Sequence, residues 1–204
     1  MPRHPSITNE EILEAARHVF LEQGFGASTV DIAEKAGISE ASIFKRFSTK
    51  QALFEAAMGI SKTPEWINEL AHQTPSEDFK TELTNICKQM LAFYQEVVPR
   101  IMMIMGQGKT SYPPQVSSPP PPIRDVGILS RYIEQATTLG YLGPCDSTTL
   151  GRLLVGAMMN YVIGSRVAAV LSDSAPVSAP TAIAPDEFIH NLIEILWGGI
   201  APDS

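Results

Sequence analysis

The sequence predicts an all-α protein, and three observations carry that reading. Apolar residues recur at helical spacing, Ser/Thr caps and glycines punctuate those stretches, and no alternating strand or hairpin dipeptide lies between them. From Thr8 to Gln23, Ile12, Ala16, Val19 and Phe20 fall on one stripe of an amphipathic helix. Thr8 is its N-cap, Glu11 completes a capping box, and Gly24 stops it. Ser28 and Asp31 repeat the box ahead of a short helix from Thr29 to Lys35, with Val30, Ile32, Ala33 and Ala36 as its buried side and Gly37 as its end. Ser39 caps a third short helix that buries Ile43 and Phe47, with Ile38 as a staple in the turn. Thr49 caps a fourth, Lys50 to Ile60.

Beyond Lys62 the pattern loosens. Trp66 to His72 and Glu77 to Val98 read as helices, the second apolar at Leu83, Ile86, Met90, Leu91, Phe93 and Tyr94 and interrupted by Pro99. Gly106 to Pro122 holds six prolines and is expected to be a loop, because proline removes the backbone donors a helix needs. Helical patterning resumes from Arg124 to Leu139 and ends at Gly140. It starts again at Asp146 or Ser147 and runs to about Leu171, apolar around most of its circumference. A second low-complexity loop, Ser172 to Pro185, precedes a last helix from Asp186 to Trp197.

Composition narrows the function classes. With 204 residues, 44% hydrophobic and 18% charged, the chain has the make-up of a globular protein with a substantial core. Runs such as Ile101 to Met105 are too short to span a membrane, and Glu10, Glu11 and Glu14 stand where a secretory signal would be apolar, so a cytoplasmic protein without a membrane partner is expected. Cys87 and Cys145 form no CxxC or Cys/His cluster, which suggests neither a disulfide framework nor a metal site. The net charge of −7 argues against non-specific coating of nucleic acid, but its distribution is uneven. Residues 1–62 carry seven Lys/Arg against eight Asp/Glu, and residues 63–204 eight against fourteen. Within residues 35–50, Lys35, Lys45, Arg46 and Lys50 face Glu40 alone, a local basic patch suited to phosphates.

Two short helices joined by a turn at Gly37, the second capped by Ser39, have the arrangement of a helix-turn-helix. The run Gly24-Phe25-Gly26-Ala27-Ser28-Thr29-Val30-Asp31-Ile32-Ala33-Glu34-Lys35-Ala36-Gly37-Ile38-Ser39, with Ile43-Phe44-Lys45-Arg46-Phe47 and Lys50-Gln51-Ala52-Leu53, closely resembles the DNA-binding domain of the TetR family of transcriptional regulators. The resemblance covers residues 8–54. It implies a three-helix DNA-binding domain over residues 1–54 and a larger helical effector-binding and dimerisation domain over residues 55–204.

The resemblance further implies a recognition helix from Ser39 to about Arg46, with Ser39, Glu40, Ala41, Ser42, Lys45 and Arg46 exposed. Ser42 would hydrogen-bond a base or phosphate, Ala41 allow close approach or touch a thymine methyl, and Lys45 and Arg46 meet phosphates or guanine. Lys50 and Thr29 match positions of phosphate contact. Phe44 stands where the family usually has Tyr and so lacks a hydroxyl donor, while Glu40 repels phosphate unless it accepts from a cytosine amino group. Without the resemblance, Lys45, Arg46 and Lys50 also read as a solvated helix face.

In the second region the resemblance implies a homodimer and an effector pocket. The helix from Asp146 to Leu171, with Gly151, Gly156 and Gly164 allowing close approach, joins Asp186 to Trp197 as the candidate dimer surface; burial within one chain is the alternative. Phe93, Tyr94, Met102, Met103, Met105, Met158, Met159 and Tyr161 are the candidate effector contacts, each otherwise an ordinary core residue. Arg100 and Arg166 are the main charges on these segments, which favours a largely hydrophobic effector. No catalytic set emerges: Gly108-Lys109-Thr110 lacks the first glycine of a phosphate-binding loop, where Met103 stands, and the four histidines are scattered. The expected function is a dimeric repressor on a pseudo-palindromic double-stranded operator, needing no cofactor and released by a small molecule. The alternative is a helical small-molecule or protein-binding module that no longer binds DNA.

Overall fold

A computed structural model describes residues 7–60, 63–106, 121–174 and 183–200, without the side chains of 104–106, 121, 170–174 and 200. Every regular element among the described residues is an α-helix. The chain divides into two compact units, Met1–Lys62 with Pro99–Ser117, and Thr63–Val98 with Ser118–Ser204.

The first unit contains α1 (Asn9–Gln23), α2 (Thr29–Ala36), α3 (Glu40–Phe44) and α4 (Lys50–Met58). Each starts on a side-chain cap: Thr8, Ser28, Ser39 and Thr49 accept from the backbone N–H of Glu11, Val30, Ser42 and Ala52. The Thr8–Glu11 capping box is complete, since the Glu11 carboxylate accepts the Thr8 N–H at 2.7 Å. Gly37 takes the left-handed conformation with φ 67°, which glycine adopts without a Cβ penalty and which turns the chain from α2 into α3. Ile12, Ala16, Val19 and Phe20 of α1 are buried with Ile32, Ile43, Leu53 and Phe54. Phe54 meets Phe20 and Phe25 edge to face, at ring separations of 5.1 and 5.2 Å. Arg17 donates from Nε to the Ala57 carbonyl at 2.8 Å, tying α1 to the end of α4.

Three local expectations need correction here. Val30 is 47% exposed rather than buried. It lies two residues from Ile32, about 200° around the helix, so a two-turn helix that buries Ile32 turns Val30 outward. Phe47 is only half-buried, because it follows the end of α3. Helix α4 ends at Met58 rather than Ile60, because Gly59 adopts φ 79° and caps it.

The second unit takes α5 (Glu65–His72), α7 (Pro121–Leu139), α8 (Ser147–Ser174), α9 (Pro185–Ile200) and the larger part of α6 (Phe79–Gly106). Trp66, Phe79, Leu83, Met90, Leu129, Ile133, Leu154 and Met158 are fully buried in its core. Helices α7 and α8 cross closely at Gly151, where a Cβ would lie 2.7 Å from Ser130 Oγ and 3.4 Å from the Val126 carbonyl oxygen. Tyr161 of α8 lies 4.6 Å from Phe188 of α9, ring to ring, and donates its hydroxyl to the Ile183 carbonyl at 2.6 Å.

Pro99 does not interrupt α6, which runs on to Gly106. Proline forfeits one backbone hydrogen bond, while Arg100 just beyond it donates to the Met58 carbonyl at 3.3 Å and fixes the continuing turn. The change of unit nonetheless falls at Pro99. The proline-rich loops are also shorter than expected. Pro121 and Pro122 open α7 and Pro185 opens α9, because the first helical turn needs no N–H from proline. Residues 172–174 extend α8, and the rest of both predicted loops, 107–120 and 175–182, lies outside the described residues.

Candidate nucleic-acid interface

Helices α2 and α3 meet through the Gly37 turn, with Gly37 N–H bonded to the Glu34 carbonyl at 3.1 Å and Ile38 N–H to the Ala33 carbonyl at 3.0 Å. Helix α3 is shorter than the expected span to Arg46, but the turn continues, with Phe47 N–H bonded to the Ile43 carbonyl at 2.8 Å. Ile43 is fully buried, and this anchors α3 so that its opposite side faces outward. Ser39, Ala41, Phe44, Lys45 and Arg46 are exposed, with Ala41 and Lys45 opposite Ile43.

Two positions expected to be exposed are half-buried. The Glu40 carboxylate accepts the Thr29 hydroxyl, so the two residues bridge the start of α3 to the start of α2. This holds the acidic group of the patch against a neutral donor and occupies the Thr29 hydroxyl. Ser42 shares a hydroxyl hydrogen bond of 2.8 Å with Ser39, whose Oγ also accepts the Ser42 N–H at 3.2 Å. Arg46 is exposed yet engaged, since Nη1 donates to the Ile7 carbonyl at 2.7 Å and to Asn9 Oδ1 at 3.3 Å. It therefore fastens the entry of α1 beside α3.

Lys50, at the start of α4, lies 5.0 Å above the Phe25 ring. Partial burial lowers its pKa from 10.5, and the aromatic face sets the position of its ammonium group. Phe44, 40% exposed, presents an apolar edge of the kind that meets thymine methyls. The face thus combines small, apolar and basic groups on a helix held by caps at its start and by Ile43 beneath.

The candidate effector residues fall into distinct environments. Tyr94 and Met158 are fully buried, while Phe93, Met159 and Tyr161 are half-buried against the second unit's core. Met102 and Met103 are 37% and 54% exposed and belong to the other unit, so they do not join that core, and the side chain of Met105 lies outside the described residues. Helix geometry explains the separation: the two methionines follow Pro99, where α6 changes unit.

That core also holds a charged cluster that the sequence reading missed. Asp125, fully buried, accepts from the Tyr94 hydroxyl at 2.7 Å and from Arg124 Nε at 2.8 Å. Burial raises the Asp125 pKa, opposed by the hydrogen bonds from Arg124 and Tyr94. The Tyr94 hydroxyl is pushed far up, first by burial and then by the Asp125 charge. Among the described residues, Arg124 Nη2 and Trp66 Nε1 are buried without a hydrogen-bond partner. Adjacent charges opening an apolar helix were the available signal, but nothing in the spacing links residues 124 and 125 to Tyr94.

Comparison with known proteins supports the geometry. The family model for bacterial regulatory proteins of the tetR family matches residues 12–57. The HTH-type transcriptional regulator YvkB of Bacillus subtilis is 48% identical over 52 residues, 25% of this chain and 28% of that protein. TtgR of Pseudomonas putida, also an HTH-type transcriptional regulator, is 33% identical over 92 residues, 45% of this chain and 43% of that protein. These matches span less than half the length of either relative. Over nearly the whole chain, the fold is that of NalD of Pseudomonas aeruginosa, the secondary repressor of the MexAB-OprM multidrug efflux pump, with a TM-score of 0.62, 21% identity, and coverage of 96% of this chain and 97% of that one. Residues 12–57 are thus similar to the helix-turn-helix of the tetR family of bacterial regulatory proteins, and the fold beyond them is that of a solved repressor.

Proposed function

We propose that the chain is a dimeric transcriptional regulator, acting as a repressor, that reads a pseudo-palindromic operator and leaves it when a small, largely hydrophobic molecule binds. The observation that carries this reading is the capped α2–turn–α3 pair, anchored by buried Ile43, whose outer face presents Ala41, Phe44 and Lys45. In a major groove, Ala41 and Phe44 meet base edges, while Lys45 and Lys50 neutralise phosphates. Ser39 and Ser42 contribute hydroxyls near the DNA backbone, and the Thr29–Glu40 bridge and Arg46 contribute mainly by holding α3 to its neighbours.

Residues 1–54 serve DNA binding in this reading, and residues 55–204 serve dimerisation and effector binding. Exposed Leu153, Val167 and Ile195 on α8 and α9 leave apolar surface that a second copy would cover. Two recognition helices spaced one DNA turn apart then set the pseudo-palindrome. Effector binding in the second unit would favour a state whose recognition helices no longer fit both half-sites. Repression is supported by the likeness to NalD and by the family.

Selection of bound duplexes from a randomised DNA pool, followed by sequencing, tests the reading. Enrichment of an inverted repeat is the expected outcome. A pool that stays random after repeated rounds contradicts it.

A further inference from the structure

Resting on the effector-binding reading above, we propose that the second unit binds an apolar small molecule through one neutral oxygen acceptor, a carbonyl, which receives an N–H of Arg124 Nη2. The buried side-chain atoms left without partners, among the described residues, are Arg124 Nη2 and Trp66 Nε1. Both are donors. A core that lacks only acceptors is completed by a molecule that brings them, because a buried N–H left unmade costs more than an exposed one.

The charge of the acceptor follows from the cluster itself. Arg124 is already neutralised by Asp125, whose two oxygens are occupied by Arg124 Nε and the Tyr94 hydroxyl. A second carboxylate beside buried Asp125 would meet like-charge repulsion at low dielectric, whereas a carbonyl takes the spare N–H without adding charge. The core of the same unit, in which Tyr94, Leu129, Met90 and Met158 are buried, is apolar over most of its surface and suits a hydrocarbon or aromatic body. Tyr94 and Asp125 are positioning residues here, because they orient the guanidinium rather than meet the ligand.

Three probes of similar shape test this with the full chain: benzylacetone, a ketone; hydrocinnamate, its carboxylate counterpart; and butylbenzene, which has no acceptor. Their affinities are measured by ligand-observed NMR titration of the wild type and Arg124→Lys, which keeps a cation beside Asp125 but removes the forked N–H. We expect benzylacetone to bind the wild type roughly tenfold more tightly than either of the other two, and that preference to vanish in Arg124→Lys. Equal affinities, preference for hydrocinnamate, absence of benzylacetone binding, or a ketone preference that survives in Arg124→Lys would each overturn the proposal. The wild-type ranking stands without the variant should Arg124→Lys prove unstable. Operator binding, measured without any probe, separates the two readings. DNA binding with no ketone preference sinks this inference alone, and ketone preference without DNA binding sinks the regulator reading alone.

Discussion

At the scale of single residues, the two cysteines make a sharp contrast. Cys87 is fully buried in the second unit's core, and burial pushes its thiol up from 9.0 to about 12, whereas Cys145 is half-buried. Native protein is therefore expected to take up one maleimide label, at Cys145, and a second only after denaturation, as read by intact mass. Because the folded state holds the Cys87 proton more tightly than the unfolded state, that contribution to stability is complete below about pH 9 and declines as pH rises towards about 12. Urea unfolding at alkaline pH should show a loss of stability with pH that is shallower in Cys87→Ala than in the wild type, by up to about 1.4 kcal/mol per pH unit. Equal slopes would show that Cys87 is not held protonated by the fold. Residue environments were only partly legible in the sequence. Ala41 and Lys45 read correctly as outward positions, but the Thr29–Glu40 bridge, the Arg46–Ile7 bond and the link from Tyr94 to Asp125 join residues distant in sequence, which no local spacing encodes.

Among elements, the crossing of α7 and α8 depends on one glycine. A Cβ at Gly151 would lie 2.7 Å from Ser130 Oγ, and rotating that hydroxyl away would break its own 2.6 Å bond to the Val126 carbonyl. Gly151→Ala is expected to destabilise the protein by about 1–3 kcal/mol in chemical denaturation. Gly156→Ala, with nothing within 4 Å among the described residues, should show no such loss within the monomer. The sequence placed all three α8 glycines as approach points, but only three-dimensional packing shows that Gly151 serves its own chain. Helix starts and stops were the most legible features, since Thr8, Ser28, Ser39, Thr49, Gly24 and Gly37 act through bonds only a few residues long. Pro99 was misleading because its cost is local, whereas the persistence of α6 depends on packing along the whole helix.

For the whole molecule, the proposed function requires the apolar surface of α8 and α9 and the face formed by α3 and Lys45 to act together, because one recognition helix reads only half a site. Leu153 and Ile195, 54% and 76% exposed, are large apolar residues outside the chain's own core. A Leu153→Glu/Ile195→Glu variant should sediment as a monomer of 22.2 kDa while the wild type sediments at twice that mass. A wild-type monomer would contradict the dimer. DNA recognition by α3 and its neighbours is the central claim, and its most direct test is fluorescence anisotropy on duplex DNA from upstream of the protein's own gene, at two salt concentrations, beside a Lys45→Ala/Lys50→Ala variant. The account predicts specific binding that weakens steeply with salt in the wild type, and in the variant a lower affinity with a salt slope reduced by about two per subunit. Wild-type and variant curves that coincide at both salt concentrations, or no specific binding by either, would contradict it.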